Sequence, residues 1–160
     1  MTIAREKLLA TAASFTDTFG SWDVDIMLSV RAPECRYHMC CPSFKKTSLS
    51  NDQTRDTFPQ WKGVFKRYKL EIITESQTLV DEAARKVAFR ARGSGESIVG
   101  LYENEYFFIL RMTEDCSQVA EAWEFYDTIR LQDLQQRLQA GQIAIGGDAP
   151  FSIEGVSSAP

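Results

Sequence analysis

Apolar side chains recur at helical spacing between residues 3 and 19, and Gly20 follows the last of them. This pattern predicts an amphipathic helix that ends at the glycine, because glycine readily takes the conformation that closes a helix. A second, short helix is predicted from Val24 to Val30, with Asp23 as its cap. Pro33 disfavours helical structure in the residue before it, so the first strand is expected to begin there.

Beyond residue 67 the apolar pattern takes the shorter period of β-strands. Four β-rich runs are joined by turn-like segments: YKLEIITESQTLV, ARKVAFRARG, ENEYFFILRMT and QVAEAWEFYDT. Before them, Ser50 and Gln53 have the spacing of a capping box and predict a helix that Pro59 bends or ends. After them, an amphipathic run of leucines predicts a last helix that ends at Gly141. Helices followed by a mostly antiparallel sheet make an α+β domain.

The length of 160 residues favours a single domain with a sizeable core, which we assign to residues 1–141. Residues 142–160 are rich in Gly, Ser, Ala and Pro and are predicted to form a flexible tail. Apolar residues make up 44% of the chain, and the net charge is −4. Because a nucleic-acid-binding protein needs a basic face, we expect no nucleic acid among the partners. The sequence has no phosphate-binding glycine loop and no dinucleotide fingerprint, so we expect no cofactor.

The stretch RAPECRYHMCCPSF holds three of the four cysteines and the only histidine. In an extended strand Cys35 and His38 point to opposite faces, and Cys116 is far away in sequence, so we predict no metal site. The adjacent Cys40 and Cys41 are poor disulfide partners for each other. The sequence shows no apolar signal core and no membrane span, so we expect an intracellular, cytoplasmic protein with reduced cysteines.

The segments SVRAPECRYH, LSNDQTRDTF, ENEYFFILRMTED and AEAWEFYDT, in this order, resemble the small fungal SnoaL-like proteins of the nuclear-transport-factor-2-like superfamily. The resemblance extends over roughly residues 5–135. It implies a cone-shaped, curled sheet with helices over its concave face, an apolar pocket inside, and a homodimer formed through the outer face. The family includes cofactor-free isomerases of fungal meroterpenoid pathways. Its wider relatives include polyketide cyclases, scytalone dehydratase and ketosteroid isomerase.

A cofactor-free isomerase needs an acid and a base in an apolar cavity. His38 carries the only imidazole, and the resemblance favours a place in the pocket; the alternative is a hydrogen-bonded strand histidine. Glu124 shares its predicted strand face with two alanines and a tyrosine, which leaves room for a ligand beside a polar group. Polyketide cyclases of the superfamily place an acidic residue at what looks like the matching position, whereas the alternative is a solvent-exposed carboxylate. We predict His38 and Glu124 as the acid–base pair.

Glu105 is the third catalytic candidate, in a strand whose two faces both carry aromatic residues. Either Glu105 or the pair Asn104 and Tyr106 faces the cavity, and the pattern leaves both open. We predict a catalytic role for Glu105 and a substrate-binding role for Tyr106. Asp127 is predicted to bind substrate if a bulge turns it inward, and otherwise to cap the last helix.

An aromatic stripe at helical spacing lies in QWKGVFKRY, formed by Trp61, Phe65 and Tyr68. Such a stripe is usually part of a core. In a cone, however, the inner faces of the helices also form the ceiling of the pocket. We therefore predict that all three residues bind substrate.

These features predict a cofactor-independent isomerase or cyclase that acts on a bulky, mostly apolar fungal meroterpenoid. A dehydratase or polyketide cyclase on the same fold uses the same groups, and a non-catalytic ligand-binding or dimerisation module is the alternative from another class. Two convergent polar groups in the cavity favour an enzyme, whereas a cavity filled by Phe and Trp favours the module. Trp123, Phe125 and Val119, on the strand face opposite Glu124, predict the homodimer.

Overall fold

The structure is a computed structural model that describes residues 2–41, 48–61, 63–73 and 77–141. The predicted tail at residues 142–160 lies outside the described residues.

Four helices lie where the sequence pattern predicts them, although the first ends at Thr18 and a 3₁₀ turn, Phe19–Ser21, carries the chain through Gly20. The four α-helices of the described residues are α1 (Ile3–Thr18), α2 (Val24–Ser29), α3 (Asn51–Thr57) and α4 (Thr128–Ala140). Side-chain oxygens of Asp23 and Asp127 accept hydrogen bonds from the first turns of α2 and α4, and Ser50 with Gln53 forms the predicted capping box of α3. Each cap satisfies amide groups that the helix itself leaves without partners.

The strands form one curled, mostly antiparallel sheet. They are β1 (Arg31–Met39), β2 (Ser48–Leu49), β3 (Phe65–Ile72), β4 (Leu79–Asp81), β5 (Lys86–Ser97), β6 (Gly100–Met112) and β7 (Val119–Tyr126). Their order is β2-β1-β7-β6-β5-β3, with β4 pairing with β5. Only β1 and β7 run parallel among the described pairs. The α+β cone predicted from the sequence is confirmed.

The core lies between the helices and the concave face of the sheet. Leu8 and Phe15 of α1 are fully buried, and the Phe15 ring meets the Phe108 ring of β6 edge to face at 5.5 Å. A second apolar cluster forms at the other end, where Leu134 of α4 packs with Trp61. Burying a side chain of this size contributes about 1.5–3 kcal/mol, so the two clusters hold the helices on the sheet. They also enclose the space between them.

The segment with the aromatic stripe is not the helix that its spacing predicts. A single 3₁₀ turn ends at Trp61, Gly63 takes a φ of 94°, and β3 begins at Phe65. Because a left-handed glycine redirects the backbone, the helical pattern cannot continue through it. Phe65 and Tyr68 nevertheless reach the same face of the sheet, because the β3–β5 register shifts between Phe65 and Arg67.

Candidate active site

A cavity of about 150 Å³ lies between the helices and the concave face of the sheet. Its walls are mainly apolar and aromatic, and include Trp22, Met39, Phe58, Trp61, Phe65 and Leu134. Polar groups enter it from four strands: Arg31, Tyr37, Tyr68, Tyr102, Tyr106 and Glu124. An apolar cavity with a few convergent polar groups has the composition of a small-molecule site.

Glu124 brings a carboxyl group into this cavity from the central strand β7. It pairs with Phe108 of β6 and Met39 of β1, and only 8% of its surface is exposed. Burial raises the pKa of Glu124 to about 7, although a hydrogen bond with the Tyr37 side chain and the positive charge of Arg31 act in the opposite direction. A carboxyl group with this pKa exists in both protonation states near neutral pH, so it can give or take a proton.

Arg31, like Tyr37 and Tyr102, lines the cavity without having been predicted from the sequence pattern. It is 4% exposed, and its guanidinium lies 4.5 Å from the centre of the Tyr37 ring. Among the described residues, its Nε atom has no hydrogen-bond partner and no carboxylate forms a salt bridge with it. Alternation in the sequence could not have found Arg31, because the pairing of β1 with β7 shifts register between Arg31 and Arg36. A buried cation without a paired anion is costly, so its position in a cavity indicates a role toward a ligand.

Three of the predicted aromatic residues, Trp61, Phe65 and Tyr68, line the cavity, and so does Tyr106. Of the two faces of β6, the one that carries Asn104 and Tyr106 therefore faces the cavity, and the one that carries Glu105 faces outward. The substrate-binding role of these four aromatic residues stays a prediction.

The predicted position of His38 in the pocket is wrong. His38 lies on the outer face of β1, since the neighbouring Tyr37 and Met39 occupy the inner face. Its Nε2 atom is 2.9 Å from Glu121 Oε1, and its ring stacks on Trp123 at 5.3 Å. It is thus a hydrogen-bonded strand histidine, the alternative reading of the sequence, and it cannot reach the cavity through the sheet.

Glu105 and Asp127 also lie outside the cavity lining. Glu105 is on the outer face, where hydrogen bonding to Arg90 is the main cause of a lowered pKa, with Arg92 contributing. Its carboxylate is exposed and stays ionised, so the predicted catalytic role in the cavity is wrong. No bulge turns Asp127 inward: its side chain accepts from Ile129 N at 3.0 Å and caps α4.

The four cysteines are all free, and Cys35, Cys41 and Cys116 are buried. In the part of the chain that the structure describes, no three His, Cys, Asp or Glu side chains are grouped so that they could hold a metal ion. No described helix is both long enough and apolar enough to cross a membrane.

No protein-family model matches the sequence. Austinoid biosynthesis clusters protein J of Penicillium brasilianum is 59% identical over 150 residues, which cover 94% of this chain and 87% of that protein. The isomerase PrhC of Penicillium brasilianum is 46% identical over 145 residues, covering 91% of this chain and 83% of PrhC.

Solved structures of similar proteins superpose on most of this chain. The structure of PrhC superposes with a TM-score of 0.83 at 45% identity, over 88% of this chain and 93% of PrhC. BvnE pinacolase from Penicillium brevicompactum gives 0.80 at 29% identity, over 86% of this chain and 98% of BvnE. A SnoaL-like structure from Jannaschia sp. CCS1 gives 0.63 at 14% identity, covers 84% of this chain and 94% of its own, and shows the fold alone.

The resemblance in the sequence, the cone with a buried carboxyl group in its apolar cavity, and relatives above 45% identity lead to one assignment. The chain belongs to the fungal SnoaL-like isomerases of meroterpenoid biosynthesis, and it is an enzyme of secondary metabolism that acts on a small molecule.

Proposed function

We propose that the protein rearranges a bulky, mostly apolar meroterpenoid intermediate by acid–base catalysis without a cofactor. The observation that carries this proposal is the buried carboxyl group of Glu124, with a pKa of about 7, in an aromatic cavity. Relatives from austinoid biosynthesis clusters support an austinoid-type intermediate as the substrate.

The acid–base cycle needs no co-reactant. Glu124 donates its proton to a substrate oxygen or double bond, and its carboxylate then takes a proton from a neighbouring carbon. The substrate keeps its composition and the enzyme regains its proton. Arg31 and Tyr37 stabilise the carboxylate during the cycle, because one supplies positive charge and the other a hydrogen bond. Aromatic walls stabilise positive charge that develops on the substrate.

A dehydratase on the same site is the near alternative, because proton transfer beside a hydroxyl group uses the same residues. Mass spectrometry of the product distinguishes them. Isomerisation in ordinary water leaves the mass unchanged, and in deuterated water it adds one mass unit if a carbon is reprotonated, whereas dehydration removes one water. A product that has lost water would contradict the isomerase proposal.

A non-catalytic binding module is the alternative from another class. The cavity is open space with Arg31, Tyr37 and Glu124 converging on it, rather than a volume filled by Phe and Trp. By the criterion set from the sequence, this arrangement supports an enzyme.

The homodimer remains part of this proposal. Four apolar residues form a patch on the outer face of β6 and β7, which we call the outer patch: Phe107, Ile109, Trp123 and Phe125. Phe107 pairs directly with Phe125, and they are 40% and 47% exposed. Such side chains on a sheet face are typical of an interface.

The third residue predicted for this interface, Val119, is not on the outer patch. It is fully buried in the core, because a register shift beside Met112 turns it inward. A dimer interface on the outer patch should bury about 1,200–2,000 Å² in total. Sedimentation at micromolar concentration tests it: a monomer in the wild type would refute the dimer, and Phe125→Asp is expected to convert a dimer to monomer.

A further inference from the structure

Three phenols in the cavity form a hydrogen-bonded series, which we call the tyrosine chain: Tyr68, Tyr106 and Tyr102. The Tyr68 hydroxyl donates to the Tyr106 hydroxyl at 3.0 Å, and the Tyr106 and Tyr102 hydroxyls lie 3.4 Å apart. Burial raises the pKa of all three side chains above their ordinary value. Each phenol therefore keeps its proton at neutral pH and can act as a hydrogen-bond donor.

Asn104 fixes one end of the tyrosine chain. Its Oδ1 atom accepts from the Asp127 amide at 3.2 Å, and its Nδ2 atom donates to the Asp127 carbonyl at 3.0 Å. Because a backbone amide only donates and a carbonyl only accepts, this pair determines which atom of the side chain is nitrogen. Nδ2 then donates a second hydrogen bond, to the Tyr102 hydroxyl oxygen at 2.8 Å.

The tyrosine chain has one hydroxyl proton more than its internal hydrogen bonds can use. Three hydroxyl protons are shared between two oxygen–oxygen contacts, so one proton has no acceptor among the described residues. Tyr102 already accepts from Asn104, which makes it a better donor toward Tyr106. With Tyr68 donating from the other side, the remaining proton is that of Tyr106, which lines the cavity.

The neighbouring strand leaves room for this arrangement at Gly93. A Cβ atom there would lie 2.1 Å from the Tyr68 hydroxyl oxygen and 2.7 Å from Cε2 of Tyr106. Even the smallest side chain would push these two phenols apart. Gly93 on β5 and Asn104 on β6 are paired across the sheet. The space left by the glycine and the hydrogen bonds of the asparagine therefore position the tyrosine chain at the same height in the cone.

We propose that the tyrosine chain is a second oxygen-binding pole of the active site, at which Tyr106 donates a hydrogen bond to a carbonyl or hydroxyl oxygen of the substrate. Asn104 is a positioning residue, because it acts through Tyr102 and sets the direction of the donors. The proposal rests on the proposed function and adds that the substrate carries an oxygen acceptor apart from the atom that exchanges a proton with Glu124.

Two cage molecules of the same shape test the donor without any turnover. 2-Adamantanone has a carbonyl oxygen, and 2-methyleneadamantane has a methylene group in its place. Binding is followed by tryptophan fluorescence, because Trp22 and Trp61 line the cavity. The wild type is expected to bind the ketone about tenfold more tightly, which is the effect of one hydrogen bond.

The triple variant Tyr68→Phe, Tyr102→Phe, Tyr106→Phe is expected to lose this preference while its affinity for the methylene compound stays unchanged. Tyr37→Phe removes a cavity phenol outside the chain and should keep the preference. Asn104→Asp is compared at a pH high enough to ionise its buried carboxyl group, because burial raises the pKa of such a group. The carboxylate then accepts the Tyr102 proton, so all three hydroxyl protons are used within the tyrosine chain and the preference should fall. Unchanged binding of the methylene compound separates this positioning effect from loss of folding.

A wild type without ketone preference, or a triple variant that keeps it, overturns the proposal. If the triple variant no longer binds the methylene compound, the ketone preference of Asn104→Asp is compared with that of the wild type instead. An unchanged preference in Asn104→Asp then overturns the proposal. Glu124→Gln should keep the ketone preference. Full turnover in that variant would contradict the proposed function, and it would leave the result on the tyrosine chain intact.

Discussion

The two faces of the sheet shift the pKa of glutamate side chains in opposite directions. Glu124 on the inner face has a pKa raised to about 7 by burial. Glu105 and Glu121 on the outer face have lowered pKa values, because arginine or histidine side chains hydrogen-bond to them and, for Glu121, outweigh partial burial. The strand face, and with it the solvent and the charged partners, therefore decides which carboxyl group can exchange protons near neutral pH.

The faces also differ in how their charges are paired. On the outer face Arg111 contacts Glu121 at 3.0 Å and Arg90 contacts Glu105 at 2.8 Å. On the inner face the described residues give Arg31 no such partner. Paired surface charges contribute little to stability and nothing to catalysis, whereas an unpaired buried cation is available to a reacting group.

The largest expected effect comes from Glu124→Gln. The amide keeps the shape of the side chain but cannot exchange a proton, so turnover should fall by about 10²–10⁴-fold, equivalent to about 3–5 kcal/mol of transition-state stabilisation. Turnover of an austinoid-type intermediate and thermal melting measure the effect.

Glu105→Gln is the matched control on the outer face, since it makes the same chemical change in the same sheet. Its turnover should equal that of the wild type. If both variants lose activity alike, the contrast between the two faces is not the basis of catalysis.

Replacing Arg31 by methionine should separate activity from stability. Exchanging a buried, unpaired cation for an apolar side chain of similar length is expected to leave the melting temperature unchanged or to raise it. Turnover should drop by about 10²-fold, because one electrostatic stabiliser is lost. A variant that is both fully active and unchanged in melting would show that Arg31 has no role at the site.

The pH dependence of stability should reveal the raised pKa of Glu124. Its pKa is about 7 in the folded state against 4.5 for an ordinary glutamate, so the folded protein holds more protons between these values. Stability from this group is fully present below pH 4.5 and is lost as pH rises through 7. The loss amounts to about 3 kcal/mol, at about 1.4 kcal/mol for each unit of pKa.

Glu124→Gln lacks this group, so the difference in unfolding free energy between the two proteins isolates it. Denaturant titrations at several pH values should show the wild type losing stability relative to the variant across that window. If the unfolding free energies of the two proteins change with pH in parallel, the pKa of Glu124 is not raised in the folded state.

The smallest effect is expected for His38→Ala. Because its imidazole lies on the outer face and bonds Glu121, turnover should change less than twofold and stability by about 0.5–1 kcal/mol. In the double variant with Glu124→Gln the two effects should add, since the residues share no contact. A tenfold loss of turnover, or strong non-additivity, would restore His38 to the mechanism.

Local pattern was sufficient for much of the fold. Helical spacing, Gly20 and Gly141, and the caps Asp23 and Ser50 located the helices, because these signals act within a few residues of where they stand. Strict alternation in β7 placed Glu124 beside Ala122 on one face. The aromatic stripe was misread, because a stripe of period three to four also arises when a strand contains a bulge, as between Phe65 and Arg67.

The sequence by itself determined an α+β cone, the strand that carries Glu124, and the family to which the chain belongs. It did not determine which face of β6 is inside, where His38 points relative to the cavity, or that Arg31 lies buried next to Tyr37. Alternation defines two faces of a strand without saying which one the helices cover. That choice depends on how α1 and α4 pack across the sheet, so only the tertiary structure separates a catalytic carboxyl group from one that pairs with arginines in solvent.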